Sequence, residues 1–152
     1  MDKIRLTKIF SFETAHALKG YDGLCKNIHG HSYKLEVTVI GTPIADKSNP
    51  KYGMVIDFSD LKQIVNTAIV DKFNHALVLS HDYKNDSSLQ ISTEEFKVIY
   101  VPYQPTSENL LIGFAKIISR KLPDNVRLHH LKLSETATSY AEWWADDNLN
   151  NK

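Results

Sequence analysis

The sequence predicts an α+β fold in which two helices cover one face of a four-stranded antiparallel sheet. Two segments near the N-terminus and two near the C-terminus alternate apolar and polar residues, which is the period of a half-buried strand. Two stretches between them repeat apolar residues at steps of three and four, which is typical of an amphipathic helix. The chain has 152 residues, a length that fits one domain over residues 1–152.

The first two strands are predicted to carry three histidines on one face. The apolar positions are Ile4, Leu6, Phe10 and Phe12 in the first strand, and Tyr33, Leu35, Val37 and Val39 in the second. Continuing the first alternation forward reaches His16, and continuing the second backward reaches His29 and His31. If the strands pair antiparallel, the end of the first lies beside the start of the second. We therefore expect the three imidazoles to converge, with the loop that carries Cys25 folded over them.

The two helices are predicted from their caps and apolar stripes. Asp57 can cap the first, whose stripe is Phe58, Leu61, Ile64, Val65, Ala68 and Ile69. Thr106 or Ser107 can cap the second after Pro105, and its stripe is Leu110, Leu111, Phe114, Ile117, Ile118 and Leu122. Pro123 is expected to stop this helix.

A short strand is predicted at FKVIYV, and the last two strands at RLHHLKLSE and SYAEWWA. In RLHHLKLSE the alternation places Glu135 on the face of Leu131 and Leu133. An inward carboxylate is costly without a partner, so Glu135 either pairs with a core cation or accepts donors from a ligand. One carboxylate can accept two parallel hydrogen bonds, which suits the amino and ring N–H edge of a guanine-like ring.

The composition argues against several classes of function. Eighteen basic residues balance eighteen acidic ones, so no global positive field favours nucleic acid or an anionic membrane surface. No stretch approaches the roughly 20 apolar residues of a membrane span, and the N-terminus lacks the layout of a signal peptide. We expect a cytoplasmic protein without nucleic-acid or membrane partners, in which the single cysteine is free for chemistry or metal binding.

The three histidines form a candidate metal site. Two histidines one residue apart on a strand point the same way, about 7 Å apart along the chain, and a third from the next strand completes a facial set. Three neutral nitrogens suit zinc and leave a fourth position open, as in catalytic rather than structural zinc sites. The alternative is that these are buried histidines whose spacing arises by chance.

Three other side chains allow both a structural and a functional interpretation. Cys25 could be a fourth zinc ligand, a small buried apolar residue, or a nucleophile or base. His75 suits a helix end, and Glu108 suits the first turn of the second helix, where its charge complements the helix dipole. His129 and His130 are interpreted as surface or structural residues.

Five motifs, in order and across nearly the whole chain, resemble the 6-pyruvoyltetrahydropterin synthase and 6-carboxytetrahydropterin synthase family. They are His16 and the segments CKNIHGH, FNHALVL, PTSENL and SETATSYAEW. The resemblance implies the tunnelling fold, in which subunits of two helices and four strands join around a barrel as trimers that commonly stack into hexamers. It also implies a 7,8-dihydroneopterin triphosphate substrate and sites assembled at subunit interfaces.

The resemblance implies a role for each residue that matches a family motif. His16, His29 and His31 match the zinc ligands, Cys25 the catalytic cysteine, and His75 its partner in proton transfer. Glu135 matches the carboxylate that anchors the pterin ring. Thr106, Ser107 and Glu108 match the segment that lines the pterin pocket. For the triphosphate, the candidate cations are Lys19, Lys26 and Lys34.

Two details bear on the product. The three residues between Cys25 and His29 resemble the bacterial 6-carboxytetrahydropterin synthases of queuosine biosynthesis, which release acetaldehyde and triphosphate. The animal pyruvoyl enzymes, which eliminate triphosphate, have a longer gap.

The family usually has aspartate where this chain has Asn74, and a neutral amide can orient an imidazole without stabilising its cation. The alternatives are therefore the pyruvoyl product and a pterin-binding protein without turnover.

Overall fold

The computed structural model describes residues 1–149; residues 150–152, which belong to the predicted domain, lie outside that range. The strands are β1 (Ile4–His16), β2 (His29–Gly41), β3 (Ala76–Ser80), β4 (Val98–Val101), β5 (Val126–Ser134) and β6 (Tyr140–Trp144). The helices are α1 (Phe58–Val65), α2 (Asp71–Phe73) and α3 (Ser107–Ser119), and a π-helical turn (Asn66–Val70) joins the first two. The α+β class predicted from the sequence is confirmed.

Over residues 1–149 the sheet has six strands rather than the four predicted for it, and it is mixed rather than antiparallel. The short strand predicted at FKVIYV is present as β4, and it is part of this sheet. The strand order of the sheet is β4-β3-β1-β2-β5-β6. The four-stranded antiparallel part is β1, β2, β5 and β6, while β3 runs parallel to β1 and β4 parallel to β3. The sequence ALVLS of β3 is apolar on both faces and mostly buried, so it lacks the alternation by which the other strands were predicted.

The register of β1 and β2 brings the histidines together as predicted. His16 pairs with His29, and Thr14 pairs with His31. Between the two histidines of β2, Gly30 lies opposite Ala15, and a Cβ on Gly30 would lie 3.3 Å from the carbonyl oxygen of Thr14. A glycine at this position therefore lets the two strands approach closely where the imidazoles converge.

The helices pack on one face of the sheet, as predicted. The Asp57 side chain accepts a hydrogen bond from the Ser59 N–H and caps α1. The Thr106 side chain accepts one from the Asn109 N–H and caps α3, which ends at Ser119, before Pro123. The shared core includes Phe12, Tyr33, Leu35 and Leu133 from the sheet and Leu61, Val65, Leu110 and Phe114 from the helices.

Two histidines of β5 are structural. His129 and His130 are 6% and 9% exposed, and the ring of His130 stacks on Trp144. The surface alternative for these residues is therefore wrong.

Across residues 1–149, none of the helices combines the length and the apolar character needed to cross a membrane.

Candidate functional site

Three imidazoles converge where the end of β1 meets the start of β2. His16 Nε2 lies 3.0 Å from His29 Nε2 and 3.2 Å from His31 Nε2. One ring nitrogen from each residue falls within a group whose atoms are all within 4.8 Å of one another. His16 is buried, and His29 and His31 are half-buried. The strand parity read from the sequence therefore predicted this cluster correctly.

Backbone carbonyls determine the tautomer of two of these rings. His16 Nδ1 lies 2.7 Å from the Pro105 carbonyl oxygen, and His29 Nδ1 lies 2.8 Å from the Asn27 carbonyl oxygen. A carbonyl oxygen only accepts, so each Nδ1 carries the proton and donates it. In the neutral rings both Nε2 atoms then present lone pairs, which face each other at 3.0 Å. Lone pairs at this distance repel unless a cation lies between them.

The cluster fits a zinc ion. Burial lowers the pKa of His16, which favours the neutral ring that a metal requires. Bonds of about 2.0–2.1 Å to a tetrahedral zinc put ligand nitrogens about 3.3 Å apart, close to the separations in the cluster. The Nδ1 hydrogen bonds to carbonyls are the usual outer contacts of metal-bound histidines. The donor set is three imidazoles, which leaves a position for substrate.

Cys25 lies in the same cavity but outside the three-histidine cluster. It belongs to a short 3₁₀ turn (Leu24–Lys26), and its carbonyl oxygen accepts a hydrogen bond from Leu18 N–H at 3.0 Å. The thiol is half-buried. Among the residues described, the group that could hold a metal contains the three histidines and not Cys25. This arrangement favours the base or nucleophile alternative over a fourth ligand.

Glu135 follows β5 and lies at the edge of the cluster. Its Oε1 is 3.9 Å from His31 Nε2 and accepts a hydrogen bond from the Tyr33 hydroxyl at 3.3 Å. Burial, with the neighbouring carboxylate of Glu135, raises the pKa of Tyr33, so this phenol stays a donor. Glu135 is therefore partnered by groups of the cavity wall, and its side chain remains 28% exposed toward the cavity.

The start of α3 forms another wall of the cavity. Thr106, Ser107 and Glu108 line a space of about 340 Å³ together with Cys25, Glu135 and the three histidines. The Ser107 hydroxyl is buried and has no hydrogen-bond partner among residues 1–149. One cavity thus collects all the candidate site residues except His75.

His75 does not line the cavity that contains the other candidate site residues. It lines a different cavity, of about 700 Å³, which shares only His31 with the first. The Asn74 side-chain oxygen accepts a hydrogen bond from the Glu13 N–H at 3.0 Å, a bond that a carboxylate would also accept. Lys97 donates to the carbonyl oxygens of Asp71 and Asn74 at 2.7 and 2.8 Å. Within one chain, His75 and Cys25 therefore line different cavities.

The backbone of His75 adopts a conformation that favours glycine. Its φ is 58°, while its N–H donates to the Glu13 carbonyl oxygen at 2.6 Å. Because an L-residue in the left-handed region costs about 1–2 kcal/mol, we expect His75→Gly to be more stable than His75→Ala by about 1 kcal/mol. Urea unfolding of the two variants measures the difference. Equal stability would show that this turn does not strain the backbone.

Lys19 is not free to bind an anion at this site. Its ammonium lies 2.6 Å from the Asp86 carboxylate and donates to the Asp82 carbonyl oxygen at 2.8 Å. Of the three candidate lysines for the triphosphate, Lys26 and Lys34 are exposed. Lys26 lies in the loop between β1 and β2, and Lys34 lies on the outer face of β2. Lys19 instead fastens the segment after β3 to the end of β1.

Two residues that support the site have no sequence pattern that marks them as functional. Tyr33 shares the strand parity of His29 and His31, but that parity indicated only a core position. Gln104 precedes the Pro105 carbonyl and bonds to the backbone of Lys19. No local pattern marks Gln104, because its partner lies 85 residues away.

Related proteins share both the sequence and the fold. The chain is 39% identical over 145 residues to the 6-carboxy-5,6,7,8-tetrahydropterin synthase of Haemophilus influenzae, covering 91% of this chain and 97% of that protein. It is 34% identical over 139 residues to the protein of that name from Synechocystis, covering 91% of each.

Solved structures confirm the tunnelling fold. An uncharacterized protein from Wolinella succinogenes matches with a TM-score of 0.75 at 18% identity, covering 95% of this chain and 99% of that one. The 6-pyruvoyl tetrahydropterin synthase of Caenorhabditis elegans matches with a TM-score of 0.66 at 23% identity, covering 95% and 97%. The family model described as 6-pyruvoyl tetrahydropterin synthase matches residues 5–146. The chain therefore belongs to the 6-pyruvoyl tetrahydropterin synthase family.

Proposed function

We propose that this protein is a zinc-dependent 6-carboxytetrahydropterin synthase. It would convert 7,8-dihydroneopterin triphosphate to 6-carboxy-5,6,7,8-tetrahydropterin, with release of acetaldehyde and triphosphate, for queuosine and 7-deazapurine biosynthesis in the cytoplasm. The relatives at 39% and 34% identity, both named 6-carboxy-5,6,7,8-tetrahydropterin synthase, support the carboxy product, as does the short spacing of CKNIHGH. The whole chain would act as one domain around this site.

The arrangement of the histidine nitrogens is the main support for the proposed zinc dependence. His16 and His29 each direct a lone pair inward because their other nitrogens donate to carbonyls. A zinc ion held there would supply Lewis acidity, which would make C–H protons of the substrate side chain easier to remove. The three histidines would hold the ion in the cavity that Cys25 and Glu135 also line.

The remaining residues of the cavity have separate roles in the proposal. Glu135 would accept two hydrogen bonds from the pterin edge and so fix the ring relative to the histidines. Thr106, Ser107 and Glu108 would form the wall beside the pterin, where the unpartnered Ser107 hydroxyl is available for a hydrogen bond. Cys25, as thiolate, would remove the proton from the side chain of the substrate.

We further propose that His75 acts from a second copy of the chain. Within one chain it lines a cavity other than that of Cys25, so a proton-transfer partnership requires another subunit. This agrees with a homo-oligomer, a trimer or hexamer closed around a barrel, whose active sites lie at subunit interfaces. The Asn74 amide, held by β1, would orient the turn that presents His75 rather than stabilise its charge.

Product analysis tests the proposed reaction. Zinc-loaded protein would be incubated with 7,8-dihydroneopterin triphosphate, and the products identified by mass and by an assay for acetaldehyde. Carboxytetrahydropterin with acetaldehyde supports the proposal. Pyruvoyltetrahydropterin without acetaldehyde would assign the other activity of the family, and intact bound substrate would indicate a binding protein.

Glu135→Gln is expected to weaken binding of the pterin and to leave zinc in place. The amide keeps the shape of the side chain but has one acceptor oxygen in place of two, and its NH₂ group opposes the donors of the pterin. Losing a hydrogen bond to a charged group costs about 1.5–3 kcal/mol, so KM should rise roughly 10- to 100-fold. Steady-state kinetics with zinc analysis measures both effects. Glu94→Gln, at an exposed glutamate that does not line the cavity, is the matched control. An unchanged KM for Glu135→Gln would remove Glu135 from the pterin site.

A further inference from the structure

The Pro105 carbonyl determines the orientation of His16, so whatever holds that carbonyl also influences the three-histidine cluster. Pro105 lies in the connection between β4 and α3, and its oxygen is 2.7 Å from His16 Nδ1. A proline has no N–H with which to anchor itself. Pro105 is buried, and the hydrogen bonds of the residues next to it help to set the position of its carbonyl.

Gln104 provides that anchor through its side chain. Its Nε2 donates to the Lys19 carbonyl oxygen at 2.8 Å, and its Oε1 accepts from the Lys19 N–H at 3.3 Å. One amide thus satisfies both backbone groups of a single residue, at the point where the chain has just left β1. The side chain is half-buried, which shields these hydrogen bonds in part from water.

The backbone of Gln104 is fixed to the start of α3 at the same time. Its carbonyl oxygen accepts from the Thr106 N–H at 2.8 Å and from the Asn109 side chain at 3.0 Å. Gln104 is therefore held on one side by the helix cap and on the other by Lys19. We call this arrangement the Gln104 clamp: the side chain of Gln104 and the backbone of Lys19.

The Gln104 clamp closes a short ring that contains a histidine of the cluster. His16 and Lys19 are three residues apart in the chain, Gln104 and Pro105 are adjacent, and the two pairs are joined at both ends by hydrogen bonds. Leu18 lies between His16 and Lys19, and its N–H donates to the Cys25 carbonyl oxygen at 3.0 Å. This closed set of hydrogen bonds therefore positions both His16 and the loop that carries the thiol.

We infer that Gln104 is a positioning residue for the metal centre, one that holds the Pro105 carbonyl so that His16 presents Nε2 to the ion. The inference rests on the proposed zinc site and adds a residue that does not touch the ion. Loss of an outer contact to a metal-bound histidine typically costs 10- to 100-fold in metal affinity. Because Gln104 acts through that contact, its removal should fall in the same range.

Gln104→Met tests the inference, because methionine keeps the length of the side chain and removes both hydrogen bonds. Zinc affinity would be measured by competition with a chromogenic chelator, and we expect it to fall about 10- to 100-fold. The Co²⁺-substituted variant should show a changed visible ligand-field spectrum, since the orientation of one ligand is altered. Turnover should recover at saturating zinc, because no catalytic group is removed.

Gln63→Met is the matched control, since Gln63 is exposed on α1 and does not line the cavity of the cluster. It should leave zinc affinity and the Co²⁺ spectrum unchanged. If Gln104→Met fails to fold, Gln104→Glu decides with the same measurements, because it keeps the acceptor for Lys19 N–H and loses the donor to Lys19 O. Wild-type affinity and spectrum in a folded Gln104 variant would overturn the inference alone. Absence of zinc binding by the wild-type protein would overturn the proposed metal centre as well.

Discussion

His31→Ala is expected to abolish stoichiometric zinc binding and, with it, turnover. His31 Nε2 lies 3.2 Å from His16 Nε2, and removing one of three imidazoles leaves two ligands, fewer than zinc sites in proteins use. The loss of affinity should exceed the roughly 10- to 100-fold cost of losing an outer contact. Elemental analysis after dialysis against a chelator measures zinc per chain, and product formation measures turnover.

His31 is a better test of the cluster than His16. His16 is 2% exposed, so its truncation would leave a cavity and lower stability on its own account, whereas His31 is only half-buried. His81→Ala is the matched control, because His81 is an exposed histidine outside both cavities. Full zinc content in a folded His31→Ala protein would remove His31 from the ligand set.

Cys25→Ala is expected to retain zinc and to lose most of the turnover. General acid–base groups typically contribute about 10²–10⁴-fold to the rate, and alanine has no proton acceptor to replace the thiolate. The metal should stay because Cys25 lies outside the histidine cluster. Steady-state rates with saturating zinc, together with zinc per chain, separate the two roles that were considered for this thiol.

Cys25→Ser provides the comparison for this experiment. Serine keeps nearly the same shape but is far less acidic than a thiol, so it should restore little of the rate lost in Cys25→Ala. Loss of zinc in both variants would identify Cys25 as a fourth ligand. Turnover at the wild-type rate in Cys25→Ala would show that another group takes the proton.

The part of the site that lies on β1 and β2 was predictable because it depends on local periodicity. The side chains of a strand alternate between its faces wherever the strand lies in the fold. Parity therefore placed His16, His29 and His31 together before any contact was known, and antiparallel pairing of neighbouring strands brought them into register. The caps Asp57 and Thr106 were predictable for the same reason, since each bonds to a backbone N–H two or three residues away.

The strand β3 and its place beside β1 were not predictable in this way. β3 is buried on both faces, so its sequence has no alternation that distinguishes it from the end of a helix. Its parallel pairing with β1 at Thr14–His16 connects residues about sixty positions apart. That pairing places the turn that carries His75 beside β1, where His75 lines a different cavity from that of Cys25.

The sequence by itself determined the fold class, the face shared by the three histidines, and the family to which the chain belongs, because periodicity and ordered motifs are properties of the chain alone. Only the tertiary structure decided which groups support that cluster through hydrogen bonds. The Pro105 carbonyl accepts from His16, the Tyr33 hydroxyl donates to Glu135, and the Gln104 side chain bonds to the backbone of Lys19. These contacts join residues 85 to 102 positions apart. Hydrogen bonds at such separations leave no local pattern, since they form only when packing of the core brings distant segments together.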